Sequence, residues 1–255
     1  RDRAYTYRAE EKGVLKGKTA IDYRSRLNQM RIYLDEVSTG VRCAYDFNKA
    51  FAIDFLDYLI LDKDVSAKTR NNYRTWLSTF GNWMMERLYI EKNPIEEIRM
   101  LREEEKFRDP LTAEDLTRLR DYTQKYNPPF YLACMMEYYC FIRPDELRYV
   151  KVGDISISEQ SVYVHGEHSK NRKGQTVAIN DKVLRIMIQQ KVFDHPSNDY
   201  LFGQNLVPGP IQLYVNRFRV EWNKVRDALR FPKSYQFYSL KDSGIRAVSY
   251  THLTL

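Results

Sequence analysis

Arg143 closes an apolar run within YYCFIRPDELRYVKVGDI, residues 138–155. Tyr138, Tyr139, Cys140, Phe141 and Ile142 lie ahead of it, so the guanidinium starts from the edge of a core. Pro144 biases Arg143 away from the α region and suits the first position of a helix. A helix over PDELRYV then begins directly after Arg143, with Asp145 and Glu146 in its first turn, where the helix dipole favours acids. A buried arginine is costly unless it is paired or kept for an anionic ligand. Two jobs therefore fit, a structural arginine held by Glu146 or a grip on an anion, and the local residues leave both open. A second cationic group is the turn SKNRKGQTVAI, residues 169–179, which carries Lys170, Arg172 and Lys173 between alternating segments. By itself such a run is most often a solvated hairpin tip.

The stretch around Arg143 resembles the first active-site box of the tyrosine recombinases, the phage-integrase family, in which an apolar run leads into Arg-x-x-Glu-Leu. The resemblance implies that Arg143 grips a scissile phosphate and that Glu146, followed by Leu147, supports the site. The turn is similar to the family's β-hairpin, which implies that Lys170 protonates a leaving 5′ oxygen while Arg172 and Lys173 contact the DNA backbone. The third box departs from the pattern. Where most of the family has His-x-Leu-Arg, this chain has Tyr238-Ser239-Leu240-Lys241, so Tyr238 replaces the His or Lys and Lys241 the second Arg. Lysine keeps the charge but loses the planar fork that holds two phosphate oxygens. The implied chemistry is attack by a tyrosine on phosphorus, giving a 3′-phosphotyrosyl bond whose energy is kept for rejoining. Fixed cations stabilise the pentacovalent transition state, and neither a nucleotide nor a metal cofactor is implied.

Helices must position these groups. Tyr23, Leu27, Met30, Leu34 and Val37 recur at spacings of four and three, which predicts an amphipathic helix over about 19–38. Asp46 is the expected cap of a second helix bearing Phe47, Phe51, Phe55 and Leu59 on one face. Ser66 is the expected cap of a third, with Tyr73, Leu77, Phe80, Met84 and Leu88 in a stripe. Lys68, Arg70, Asn71 and Arg74 cluster near its amino end, where backbone N–H groups and basic side chains suit a phosphate. This part resembles the family's helical core-binding domain, a SAM-like fold, through KTRNNYRTWLSTFGNWM and the Asn93-Pro94 stop.

The charged stretch Leu101–Arg108 marks a linker. The expected division is therefore a core DNA-binding domain over 1–104 and a recombinase catalytic domain over 105–247. After the linker, Pro110-Leu111-Thr112 with Asp115 predicts a capped helix, with helices near 112–125 and 128–140. Alternation through 161–165 and 175–179 then predicts a small antiparallel sheet, before helices near 181–191 and 212–229. The fold class is mainly α with a small antiparallel β-sheet.

Forty-one Lys and Arg against 34 Asp and Glu give a formal charge of +7, a moderate bias that favours an anionic partner. Double-stranded DNA is the expected partner, held between the two domains, and family members act as tetramers on paired sites. Three cysteines without a CxxC pair argue against a disulfide framework. No run is long and apolar enough to span a bilayer, and a cytoplasmic location is expected. His165-x-x-His168 lacks further ligands at zinc spacing, so no metal site is expected. The string VSYTHLTL, residues 248–255, can be encoded by sequencing-adapter DNA and is read as a non-native tail, which leaves the chain without the family's nucleophile. As written, the chain is expected to bind DNA weakly and not to cut it. The rival readings are a DNA-binding protein without catalysis, such as a regulator or decayed integrase, and a helical module that does not bind DNA.

Overall fold

The first three helices form because apolar residues recur at helical spacing, and the second and third start behind good caps. The computed structural model describes residues 17–37, 40–41, 43–104, 108–169 and 173–253, with side chains as far as 249. The chain divides into two compact units, Arg1–Lys106 and Phe107–Leu255. Among the described residues no helix is long and apolar enough to cross a membrane.

The first unit packs α1 (Gly17–Val37), α2 (Lys49–Leu61) and α3 (Ala67–Met85) around one core. Leu27, Tyr33, Phe51, Phe55, Leu59, Trp76 and Leu77 are buried in it. Val37, expected on the buried stripe of α1, is exposed. Ser66 caps α3 as expected, its hydroxyl accepting from the Thr69 N–H at 3.3 Å. Asp46 does not cap α2. Asn48 does, accepting from Phe51 N–H at 3.0 Å, while Asp46 closes a tight turn by accepting from Cys43 N–H at 2.9 Å. The stripe on α3 also ends early: the helix stops at Met85, and Leu88 lies beyond it in a left-handed turn with 92% of its surface exposed. The Asn93 amide closes this corner, donating to the Ser78 carbonyl at 2.9 Å and to Asn82 Oδ1 at 2.6 Å. A Cβ at Gly81 would strike Asn93, so glycine is what lets the loop lie against α3.

The second unit is built around α5 (Pro128–Cys140), which is apolar on nearly every side and buried accordingly. Asn127 caps it by accepting from Phe130 N–H at 3.3 Å. In front lies α4 (Ala113–Tyr126), where Thr112 Oγ1 accepts from Asp115 N–H at 3.1 Å and donates to its carboxylate at 2.9 Å. After α5 comes a single turn, α6 (Pro144–Leu147), shorter than the expected PDELRYV helix. Its successor residues Val150 and Val152 leave the helix because Leu201 and Val152 N–H groups bond across, to Val150 and Asp199 carbonyls. Strands β1 (Ile155–Ser156), β2 (Ser161–Val164) and β3 (Gln175–Ala178) form an antiparallel sheet in that order, with Val162 opposite both Ile155 and Val177.

Helices α7 (Asp181–Gln189), α8 (Arg217–Ala228) and α9 (Ser239–Leu253) follow. The expected helix over 212–229 starts only at Arg217. Leu213 is buried, and its carbonyl accepts two bonds from Arg148, from Nε at 2.8 Å and Nη2 at 2.7 Å, which hold the preceding segment extended. The periodicity did not announce α9. Its middle residue, Gly244, faces α5 so closely that a Cβ there would overlap the Tyr138 carbonyl and stand 2.7 Å from the Phe141 ring. Gly244→Ala is therefore expected to destabilise the unit by about 1–3 kcal/mol, since overpacking costs that much where backbone must move. Urea denaturation would read it; an unchanged midpoint would mean α9 does not sit this close.

Candidate active site

The site grows from the end of α5. Phe141 takes up a left-handed conformation, with φ 56° and ψ 23°, and ends the helix. Its carbonyl, freed from the helical ladder, accepts a hydrogen bond from Lys241 Nζ at 2.6 Å. Two residues on, Arg143 is extended at φ −65° and ψ 145°, as Pro144 requires, and heads α6. Glu146 reaches back over that turn. Its carboxylate accepts from the Arg143 backbone N–H at 3.3 Å and from Nη1 at 3.0 Å.

Glu146 is only 2% exposed, whereas the Arg143 side chain keeps 36% of its surface. The carboxylate is thus a buried brace and the guanidinium a partly open donor. Hydrogen bonding to Glu146 raises the pKa of Arg143 above its ordinary value, and the Tyr238 phenol adds to that stabilisation. Ser169 Oγ also donates to Glu146, at 3.4 Å, which brings the residue before Lys170 to the same carboxylate. Lys170 and Arg172 themselves lie outside the described residues. Lys173 is exposed just ahead of β3.

Lys241 comes from the first turn of α9, and its ammonium lies 5.7 Å from the centre of the Tyr238 ring. Burial lowers its pKa first, and the neighbouring charge of Arg143 lowers it further. The structure therefore brings Arg143, Glu146, Tyr238 and Lys241 together, although about a hundred residues separate the first pair from the second.

Sequence reasoning missed Glu137. It is fully buried on α5, neither carboxyl oxygen has a hydrogen-bond partner, and burial pushes its pKa well above the usual carboxylate range. The signal was present as one acid inside the apolar run Leu132-Ala133-Cys134-Met135-Met136. With Glu137 held neutral by burial, Glu146 and Asp242 are the carboxylates left beside Arg143 and Lys241.

The expected phosphate contacts on α3 are placed differently. Lys68 is exposed. Arg70 and Asn71 are buried, and Arg74 partly so, with their donors turned to the segment that follows the helix. Arg70 Nη1 donates to the Arg99 carbonyl at 2.9 Å, and Asn71 Nδ2 to the Leu101 carbonyl at 2.8 Å. Arg74 donates to the Ile98 and Ile95 carbonyls at 2.9 and 3.0 Å. These three side chains tie residues 95–101 to α3, because that irregular segment has carbonyls with no ladder to join.

The two histidines of the hairpin face apart: His165 Nε2 lies 2.8 Å from Asp154, while His168 stacks on Tyr149 at 3.7 Å. Among the described residues, no three His, Cys, Asp or Glu side chains are grouped to hold a metal ion.

Comparison with known proteins locates this arrangement. Residues 110–232 match the model of the phage integrase family. A relative named "Putative defective protein IntQ", of Escherichia coli (strain K12), is 27% identical over 167 residues, which are 66% of this chain and 39% of that protein, so the match spans about two fifths of its length. Among solved structures, the Tn1549 transposon integrase (residues 82–397) with circular intermediate DNA superposes with a TM-score of 0.74 at 16% identity, over 98% of this chain and 87% of that one. A lambda integrase (residues 75–356) dimer on a core site gives 0.72 at 17% identity, over 96% and 87%. At these identities the superpositions show the fold: a helical unit followed by a mainly helical unit with a small antiparallel sheet. The family model falls on the segment that holds Arg143 and Glu146, so residues 110–232 are similar to the phage integrase family, the tyrosine recombinases, and the relative and the solved structures support the same likeness.

Proposed function

We propose that the chain acts on double-stranded DNA in site-specific recombination, with the second unit holding one scissile phosphate. The observation that supports this reading is the meeting of Arg143, Tyr238 and Lys241 in one place, with the Glu146 carboxylate holding the arginine. In the reaction a tyrosine hydroxyl attacks phosphorus, the bond to the 5′ oxygen breaks, and a 3′-phosphotyrosyl ester forms. The leaving oxygen takes its proton from Lys170, and attack by a 5′ hydroxyl reverses the step on another strand. Negative charge grows on the two non-bridging oxygens. Arg143 and Lys241 meet it with charges already in place, so little reorganisation is needed at the barrier. Lys68 of the first unit, with Arg172 and Lys173 of the hairpin, contacts the DNA backbone. Lambda integrase is known as a tetramer on a Holliday junction, and the complete enzyme here would likewise join paired sites as a tetramer.

Anisotropy of a labelled 30-base-pair duplex across 50–300 mM KCl tests the DNA half of the proposal. The logarithm of the binding constant should fall linearly with the logarithm of salt concentration. Affinity absent or indifferent to salt would instead favour a helical module that does not bind DNA.

One observation favours a second reading. Lysine stands where the family's second arginine is expected, its ammonium already engaged by the Phe141 carbonyl, and the curated relative is itself described as defective. A non-catalytic DNA binder would show the same salt slope but never form a covalent adduct with a nicked suicide duplex.

A further inference from the structure

One cation near this pocket lies outside the three boxes. Arg108 stands at the start of the second unit, and its guanidinium carbon lies 4.3 Å from the centre of the Tyr238 ring. Its place is built rather than incidental. The nearby Leu111 N–H donates to Ser243 Oγ at 2.8 Å, in a buried bond, and Ser243 in turn donates to the Ser239 carbonyl at 2.7 Å. The strand of chain that carries Arg108 is thereby pinned to α9, the helix that carries Lys241. Arg108 Nε lies 3.7 Å from Asp242, an ion pair too long for a hydrogen bond, and the side chain is 41% exposed.

Tyr238 thus has Arg108 over its face, Lys241 at 5.7 Å and Arg143 beside its phenol. A guanidinium stacked on a ring still aims its N–H groups outward in its own plane, where oxygens can accept them. The carboxylates beside them are Glu146 and Asp242, fewer than the three cations, because burial holds Glu137 neutral. An anion is what the remaining charge calls for.

We propose that Arg108 is a phosphate-binding residue of this site and supplies the second guanidinium that Lys241 cannot. The proposal rests on the reading of the pocket as a phosphate site. In it, Tyr238 does more than fill the histidine's place: its ring face orients Arg108 toward the anion that Arg143 holds from the other side.

The test uses the protein with its arginine side chains labelled with nitrogen-15 and inorganic phosphate as the probe, at ionic strength held constant with chloride. The Nε–H resonances of Arg108 and Arg143 should shift together and fit one dissociation constant. Arg108→Ala should weaken that constant about five-fold, the size of a partly exposed charge-assisted contact, and Arg108→Lys should recover part of the loss. If Arg143 shifts while Arg108 stays still, or the two report different constants, the proposal fails and the phosphate site survives. If neither moves, the phosphate site itself is wrong and Arg108 falls with it. A lower melting temperature for Arg108→Ala with unchanged phosphate affinity would reduce Arg108 to a structural contact and overturn the idea.

Discussion

Alanine at position 143 is expected to slow strand cleavage by at least about a thousand-fold while weakening DNA affinity by no more than about ten-fold. The reason for the split is geometric. On the proposed reading, Arg143 is one of several cations near the backbone in the ground state, whereas in the transition state its fork would meet the charge that grows on the equatorial oxygens. The assay is formation of a covalent adduct on a nicked suicide duplex, using protein translated from the full reading frame of the gene. Arg143→Lys should fall between the two, because it retains charge and loses the fork. The same alanine also removes the Nη1 donor from Glu146, whose carboxylate is almost wholly buried. Its remaining bonds come from the residue 143 N–H and Ser169, so a stability loss of about 1–2 kcal/mol should accompany the kinetic effect. Adduct formation at the parent rate would remove Arg143 from the chemistry and return it to the structural role that its sequence context also allowed.

Glu137→Gln is expected to make the protein more stable at pH 8 than its parent, with the advantage vanishing near pH 4. Burial without a hydrogen-bond partner holds the Glu137 carboxyl in its protonated form well above 4.5, the ordinary value it regains on unfolding. Between those two pH values the unfolded chain has released the proton and the folded chain has kept it. The folded state binds more protons there, so stability falls as pH rises, by about 1.4 kcal/mol per pH unit from this one group. Below about 4.5 both states are protonated and the contribution is fully present. Glutamine is neutral throughout and nearly isosteric, which removes the slope without emptying the space. Urea midpoints measured from pH 4 to 8 would show two diverging curves; two curves that superimpose would refute a protonated Glu137. The comparison also bears on the site, since an ionised Glu137 would offset the charge of Lys241 and so weaken the phosphate binding proposed there.

What the sequence determined by itself was local. The extended Arg143 before Pro144, and Glu146 reaching back three residues to it, follow from chain geometry over a single turn. So do the Ser66 and Thr112 caps and the alternation that makes β2 and β3. Even here the reading slipped where neighbours compete for one role, as Asn48 displaced Asp46 at the cap of α2. The tertiary structure decided everything that depends on what a charged side chain meets far along the chain. Arg70, Asn71 and Arg74 carry the pattern of a phosphate-binding helix end, yet packing offered them carbonyls of residues 95–101 first. Helix α9 was hidden because Gly244 and the charges at 241 and 242 blur its period, and it forms by fitting closely onto α5. Glu137 and Arg108 looked like an odd acid in an apolar run and a solvated charge in a linker. Only when α9 closes on α5 do burial raise the pKa of the first and Tyr238 receive the second. The difference is physical: backbone geometry and caps act within a few residues, while the burial and partners of an ion are set by whichever surfaces the folded chain brings against it.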